Sequence, residues 1–264
     1  MDHDWAGVLA DLEEVRAALI GRAGMFCNVT VEQASLDLFR PRLAQFLQAL
    51  PAGADQPDQA VDWQPMAASG PEGLTLPAQV NYVGKGANLY SLGYELHGST
   101  FVAVKFLDNT WLWDRVRVQG GAYGGFCSFD SLSGVLAYLS YRDPNLLGTL
   151  QTYDAAAHYL RTVPLTQEDV DKIIIGVIGQ MDSYQLPDAK GYTSLLRALN
   201  QDTDAIRQRL RDQVLATTVA DVRALADLLD QVSQQGAVVV LGSEQAINAA
   251  NQTLATPLSM TKVL

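Results

Sequence analysis

The strongest constraint on the fold lies in residues 99–116. Two apolar flanks run along this stretch at helical spacing. Phe101, Val104, Leu107 and Trp111 form one, and Val102, Phe106, Trp113 and Val116 form the other. Lys105, Asp108 and Arg115 make a narrow charged stripe between them. A helix that is apolar over most of its circumference has to be buried, so it gives the next residues a firm base. Those residues include the glycine pair Gly120-Gly121, inside LWDRVRVQGGAYGGFCSFD (residues 112–130). Glycine reaches backbone conformations closed to other residues, so a corner is expected there. Arg117 stands just before the corner and Tyr123 just after it. A guanidinium with five donors and a phenol O–H could grip carbonyl or carboxylate oxygens. The same residues also fit a purely structural role. In that role Arg117 pairs with a carboxylate and Tyr123 is one residue of an amphipathic strand.

Two strands should leave the corner, over 122–130 and 135–141, joined at Ser131-Leu132-Ser133-Gly134. Arg142-Asp143-Pro144 stops the second, with Asp143 expected as an N-cap and Pro144 at the first helical position. A helix to about residue 160 comes next. Thr166-x-x-Asp169 should cap another to about 184, in which Gly176 and Gly179 suggest close backbone packing. Further helices are expected near 190–199, 203–215 and 219–233. Residues 237–241 read as a buried strand, and Ser243 as the cap of a last helix.

Upstream, residues 4–22 read as a helix through Trp5, Val8, Leu12, Val15 and Leu19. Residues 25–29 suit a short strand. Thr30-x-x-Gln33 resembles a capping box for a second helix, which Pro41 should kink. Residues 51–73 hold Pro51, Pro57, Pro65 and Pro71 and read as a linker. Strands are expected over 74–83 and 89–96. Near each end the order is helix, strand, helix, and Glu-Gln-Ala recurs at 32–34 and 244–246. The division expected is therefore residues 1–50 closing a preceding homologous domain, a linker over 51–73, and one α+β domain over 74–264.

A chain of 264 residues makes one large or two small domains. It can bury enough surface to need no disulfide or metal staple. Its net charge of −11 disfavours nucleic acid, whose binding rests on Lys and Arg at phosphates. That charge suits a cationic partner. No apolar run reaches the roughly 18 residues of a membrane helix. The first residues, MDHDWAGVLADLEEV, are acidic where a secretory signal is basic. Cys27 and Cys127 have no metal or disulfide spacing, which fits a reducing, cytoplasmic setting. The three histidines, His3, His97 and His158, form no HExxH or HxxEH pair. No nucleophile elbow, phosphate loop or dinucleotide fingerprint is present, so no catalytic residue is assigned in this chain.

Four segments carry more than spacing can. VNYVGKG, LWDRVRVQGGAYGG, SYRDPNLLGTL and IIIGVIGQMDSYQLPDAKG together resemble the C-terminal half of presequence-degrading proteases. These belong to the pitrilysin-type, or inverzincin, zinc peptidases. The resemblance runs from about residue 74 to the end and extends less specifically over 1–50. It implies an α+β domain whose antiparallel-rich sheet carries its helices on one face. It also implies a clamshell of four such domains, with HxxEH and zinc in the first and a peptide-gripping Arg/Tyr pair in the last. Arg117 and Tyr123 match that pair, with Gly120 and Gly121 beside the peptide. The resemblance thus implies no cofactor in this chain, zinc in an HxxEH-bearing catalytic half as its partner, and unfolded peptides, basic ones included, as substrate. A scaffold or peptide-binding module without a peptidase role would use the same corner.

Overall fold

The computed structural model describes residues 4–53 and 70–263. The middle of the expected linker, residues 54–69, lies outside the described residues. The chain divides into two compact units. One is Met1–Pro65 with Tyr184–Asp202, and the other is Met66–Ser183 with Thr203–Leu264. The stretch 184–202 therefore clusters with the N-terminal residues, inside the range expected to be continuous.

The first unit holds helices α1 (Trp5–Leu19), α2 (Gln33–Ala49) and α7 (Pro187–Leu199). The Asp4 side chain caps α1 by accepting from the Gly7 N–H at 3.0 Å. The capping box expected at Thr30 does not form. Helix α2 starts after Glu32 with no side-chain cap, and Gln33 donates instead to Asp37 at 2.8 Å. Pro41 lies within α2. The strand expected over 25–29 does not form. A strand needs a neighbour for its N–H and C=O groups, and no described strand belongs to this unit. Asn28 ties this stretch to α7 through a 2.8 Å bond from its Nδ2 to the Gly191 carbonyl. None of α1, α2 and α7 has a buried residue.

The second unit is built on a six-stranded mixed sheet. Its strands are β1 (Glu72–Thr75), β2 (Tyr82–Asn88), β3 (Gly124–Phe129), β4 (Val135–Tyr141), β5 (Ala237–Gly242) and β6 (Ser259–Lys262). Their order across the sheet is β3-β4-β2-β5-β1-β6. The pairings β3/β4, β4/β2 and β2/β5 are antiparallel, while β5/β1 and β1/β6 are parallel. The expected strand over 89–96 is instead a tight helical turn, Tyr90–Leu92, ended by Gly93 at φ 84°. The strand expected at 74 starts earlier, at Glu72, and breaks after Thr75. Strand β6 had no sequence signal beyond four residues at the end of the described chain.

Helices α3 (Ser99–Leu107), α4 (Leu146–Asp154), α5 (Ala156–Thr162), α6 (Gln167–Met181), α8 (Asp204–Leu215), α9 (Val219–Gln235) and α10 (Glu244–Asn251) complete this unit. Val83, Leu136, Tyr138 and Val240 point from the sheet into one core with Val102, Leu107, Leu160, Val222 and Ile247. Alternation along the strands turns Phe126, Leu139, Tyr141 and Val239 to the other face, where they are 39% to 48% exposed. The capping box of α6 forms as expected, with Thr166 and Asp169 exchanging bonds. Gly176 and Gly179 do not serve close packing, since a methyl added at either would meet nothing within 4 Å. The N-cap of α4 is Asn145, not Asp143. Asp143 is fully buried and accepts from the Asn145 N–H and the Thr149 hydroxyl, so it braces the first turn from outside.

One charge is buried under the sheet. The Lys85 Nζ donates to Asp154 at 2.5 Å and to the Ser233 carbonyl at 2.7 Å. The lysine side chain is 8% exposed and the aspartate 42%, so only the aspartate can turn to water. Removing the aspartate strands an ammonium, whereas removing the lysine leaves a carboxylate that water can reach. Asp154→Ala should therefore cost about 2–3 kcal/mol in urea unfolding, and Lys85→Met about 1 kcal/mol or less. Equal costs for the two variants would contradict this picture of the pair.

Candidate functional site

The corner after α3 is set by the helix that leads into it. Past Leu107 the helix continues as a wider, π-type stretch, Asp108–Gln119. Leu112 and Val116 are its buried residues, while Trp113, Arg115 and Arg117 face outward. The apolar belt expected all round to 116 thus holds for α3 but opens in the second half. The helix ends on Gly120 and on Gly121 at φ 75°, a left-handed residue that suits glycine. The Gly121 N–H reaches the Arg117 carbonyl at 3.0 Å, and the Ala122 N–H reaches Val116 at 3.1 Å. The second joins residues six apart, one more than the 6→1 bond of a Schellman helix end. A methyl on Gly120 would lie 2.5 Å from the Val116 carbonyl oxygen. Asn145 donates its side-chain N–H to the Gly120 carbonyl, which ties the corner to the start of α4.

The second glycine pair, Gly124-Gly125, is used inside the fold. The Gly124 α-carbon lies under the Phe126 ring, and Gly125 lies against Val116 and the Leu112 carbonyl. Both are buried and take part in internal packing. The outer edge of β3 is also covered at Cys127, whose N–H donates to Asp108 at 3.1 Å.

Arg117 and Tyr123 both end outside the core. The Arg117 guanidinium lies 4.2 Å above the Trp113 ring. It makes no ion pair among the described residues. Tyr123 is 68% exposed. Its ring meets the edge of Tyr141 at 5.8 Å, and Tyr141 meets Tyr82 at 5.5 Å. The Tyr123 N–H donates to the Tyr141 carbonyl at 3.0 Å. The corner therefore opens onto an aromatic row along the exposed sheet face, continued by Phe126, Leu139 and Val239 in cross-strand register around Gly84. Tyr141 and Tyr82 were not singled out from sequence. The alternation in β4 could have turned Tyr141 outward, but its place beside Tyr123 depends on the β3/β4 register.

Other polar groups sort as structural. His97 Nδ1 lies 2.8 Å from the Ser99 hydroxyl at the start of α3. His158 is exposed on α5. Among the described residues no three His, Cys, Asp or Glu side chains converge into a set that could hold a metal ion. These residues thus do not fit a zinc site. A crevice of about 620 Å³ lies on the far side of the corner, lined by Arg115, Gly120, Asn145, Thr149 and Ala250 among others.

Comparison with known proteins settles the family. The model of the PreP C-terminal domain matches residues 71–244. The chain belongs to the PreP C-terminal domain family. Presequence protease 1 of Arabidopsis thaliana, chloroplastic/mitochondrial, is 48% identical over all 264 residues, which make 24% of its length. Protein HypA of Clostridium perfringens is 33% identical over 67% of this chain and 18% of its own. The mitochondrial presequence protease of Mus musculus is 32% identical over 54% of this chain and 13% of its own. This chain thus spans a quarter or less of these relatives. A protease from Helicobacter pylori shares the fold, with a TM-score of 0.55 at 18% identity, over 80% of this chain and 53% of that one.

The corner and its neighbouring cysteine each give a measurable outcome. Gly121→Ala should cost about 1–2 kcal/mol, since a Cβ is disfavoured in the left-handed region, and should lower the melting temperature by a few degrees. Gly121→Asn should cost less. An alanine variant as stable as the parent would mean that the turn is not held in this conformation. Burial, with Asp108 nearby, pushes the Cys127 thiol far up, while Cys27 is exposed. An Ellman titration of the folded chain should therefore count one reactive thiol, and a second only after denaturation.

Proposed function

We propose that this chain is the zinc-free part of a pitrilysin-type zinc metallopeptidase, and that it grips the peptide for a catalytic half bearing HxxEH. The observation that carries this reading is the pair Arg117 and Tyr123. Both are exposed polar side chains at a braced glycine corner, and neither guanidinium nor phenol is used up by a hydrogen bond or ion pair within the described residues. Their donors are left for an outside acceptor. A peptide backbone offers such acceptors at every residue, and the aromatic row beside Tyr123 offers contact area for its side chains.

Zinc in the catalytic half supplies the polarisation of the scissile carbonyl. The task of this chain is to hold the peptide carbonyls with preset donors as negative charge builds on the oxygen. Donors aimed at that charge act without reorganisation, and each is worth about 2.7–4 kcal/mol. Trp113 supports this from below. By lying under Arg117 it limits the rotamers of a long side chain, so less freedom is lost on binding. The net charge of −11 raises the local concentration of basic peptides.

The N-terminal unit fits the same reading as a piece of the preceding domain. Helices α1 and α2 have no buried residues, and Phe26 is 68% exposed in the stretch between them, where no strand forms. The order helix, strand-type stretch, helix in the sequence repeats that of α9, β5 and α10. In the second unit β5 sits inside the sheet, flanked by β2 and β1. Residues 25–29 would take that place in the sheet of the domain before.

The test is to join the chain to its catalytic half and follow peptide cleavage. Arg117→Ala and Tyr123→Phe should each lower turnover by roughly 10²–10³ while the melting temperature holds within a degree or two. Loss of stability with unchanged turnover per folded molecule would show that the two residues are structural. No gain in cleavage on adding this chain would favour a scaffold.

A further inference from the structure

Arg142, at the end of β4, plays no part in the grip proposed for Arg117 and Tyr123. It has a positive φ of 49°, one of two non-glycine residues so placed among the described residues. The left-handed region is costly for a residue with a Cβ and is best tolerated by glycine or asparagine. The fold leaves it no choice. On one side the Tyr141 carbonyl is held by the Tyr123 N–H at 3.0 Å. On the other, Asp143 and Asn81 exchange two backbone bonds of 2.8 Å each. The conformation turns the side chain back over its neighbour, and the guanidinium carbon lies 5.6 Å from the Tyr141 ring centre. Tyr141 is the ring that Tyr123 meets edge-on at 5.8 Å. The guanidinium of Arg142 is therefore one aromatic ring away from the phenol at the corner.

Arg142 is exposed and makes no ion pair or hydrogen bond among the described residues. In a chain with 29 acidic and 18 basic residues, a free arginine at a strained position has passed over many possible carboxylate partners. Stacking uses the flat face of the guanidinium and leaves its in-plane N–H groups outward. Those donors form a fork that matches a carboxylate in two parallel bonds.

We propose that Arg142 is a substrate-positioning residue that binds a carboxylate of the peptide lying at the corner, either its C-terminus or an acidic side chain. The proposal rests on the reading that a peptide is held by Arg117 and Tyr123, and it adds a second anchoring point. The overall negative charge repels polyanions, but it is screened beyond about 10 Å at ordinary salt, so one carboxylate on a neutral or basic peptide can still meet the local cation. The chain would thus draw in peptides by one sign of charge and set their register by the other.

The experiment measures binding of fluorescent peptides to the 264-residue chain by anisotropy. One peptide pair differs only in a C-terminal carboxylate or carboxamide. A second pair, amidated, differs only in an internal Glu or Gln. The parent chain should bind the carboxylate member of at least one pair about 5-fold more tightly, and the pair that shows it identifies the source of the carboxylate. Arg142→Asn, which keeps a residue at ease in the left-handed region, should abolish that preference. It should leave the Kd of the amide and Gln peptides within about 2-fold and should not lower the melting temperature. Arg142→Lys should keep only part of the preference, because it keeps the charge and loses the fork. Equal binding of both members of both pairs by the parent, or a preference that survives Arg142→Asn, overturns the proposal. Arg117→Ala and Tyr123→Phe separate it from the grip on which it rests. If they weaken all peptides while Arg142→Asn changes nothing, only the role of Arg142 falls. If they leave all binding unchanged, the reading of the corner falls with it.

Discussion

The contact of Val116 with Gly125 governs the geometry of the candidate site. A methyl on Gly125 would lie 2.8 Å from the Val116 Cβ, so the end of the helix rests directly on the backbone of β3. That approach makes the hairpin β3/β4 and the end of the helix one body. Arg117 from the helix, Tyr123 from the lead into β3, and Tyr141 from β4 then hold fixed relative positions. Packing at this density resists small displacements, as the grip proposed for Arg117 and Tyr123 would require. Gly121 and the Asn145 bond close the same body from the side of α4.

Much of this was legible in the residues. The buried first half of the two-flanked helix, the corner at Gly120-Gly121, the hairpin after it and the capping box at Thr166 are local patterns, and each formed where its pattern lay. Arg117 and Tyr123 stood out because charge and phenol beside a glycine pair are unusual next to a buried helix. What the residues hid depends on partners distant in sequence. The stretch 25–29 has strand composition but no neighbour in its unit. Residues 89–96 alternate well enough for a strand, yet the Leu89 N–H goes to the Gly134 carbonyl and Gly93 turns the chain away. The aromatic row needs the β3/β4 and β2/β4 registers, which no local pattern sets. The change from α to π winding in 108–119 likewise left no mark in the apolar periodicity.

The two faces of the sheet make a division of labour visible. One carries the core, with aliphatic side chains and the buried Lys85. The other carries tyrosines, Phe126, Leu139 and Val239, partly exposed and without a covering helix from the same unit. An apolar surface of this kind on a chain rich in acidic groups offers contact without attracting its own charges.

The strand order bears on how the molecule is made. Strand β1, near residue 72, touches only β5 and β6, which lie beyond residue 236. Between them the chain must build the antiparallel β2-β4-β3 set and seven helices, including α7. As the polypeptide leaves the ribosome, β1 waits with both edges bare while that set already has its own partners. The sheet is therefore joined late, in one step, when β5 slides between β2 and β1. Contacts this distant in sequence slow folding and prolong exposure of unpaired edges. A nascent chain halted just short of β5 would hold a finished hairpin and helices but an open seam through the middle of its sheet.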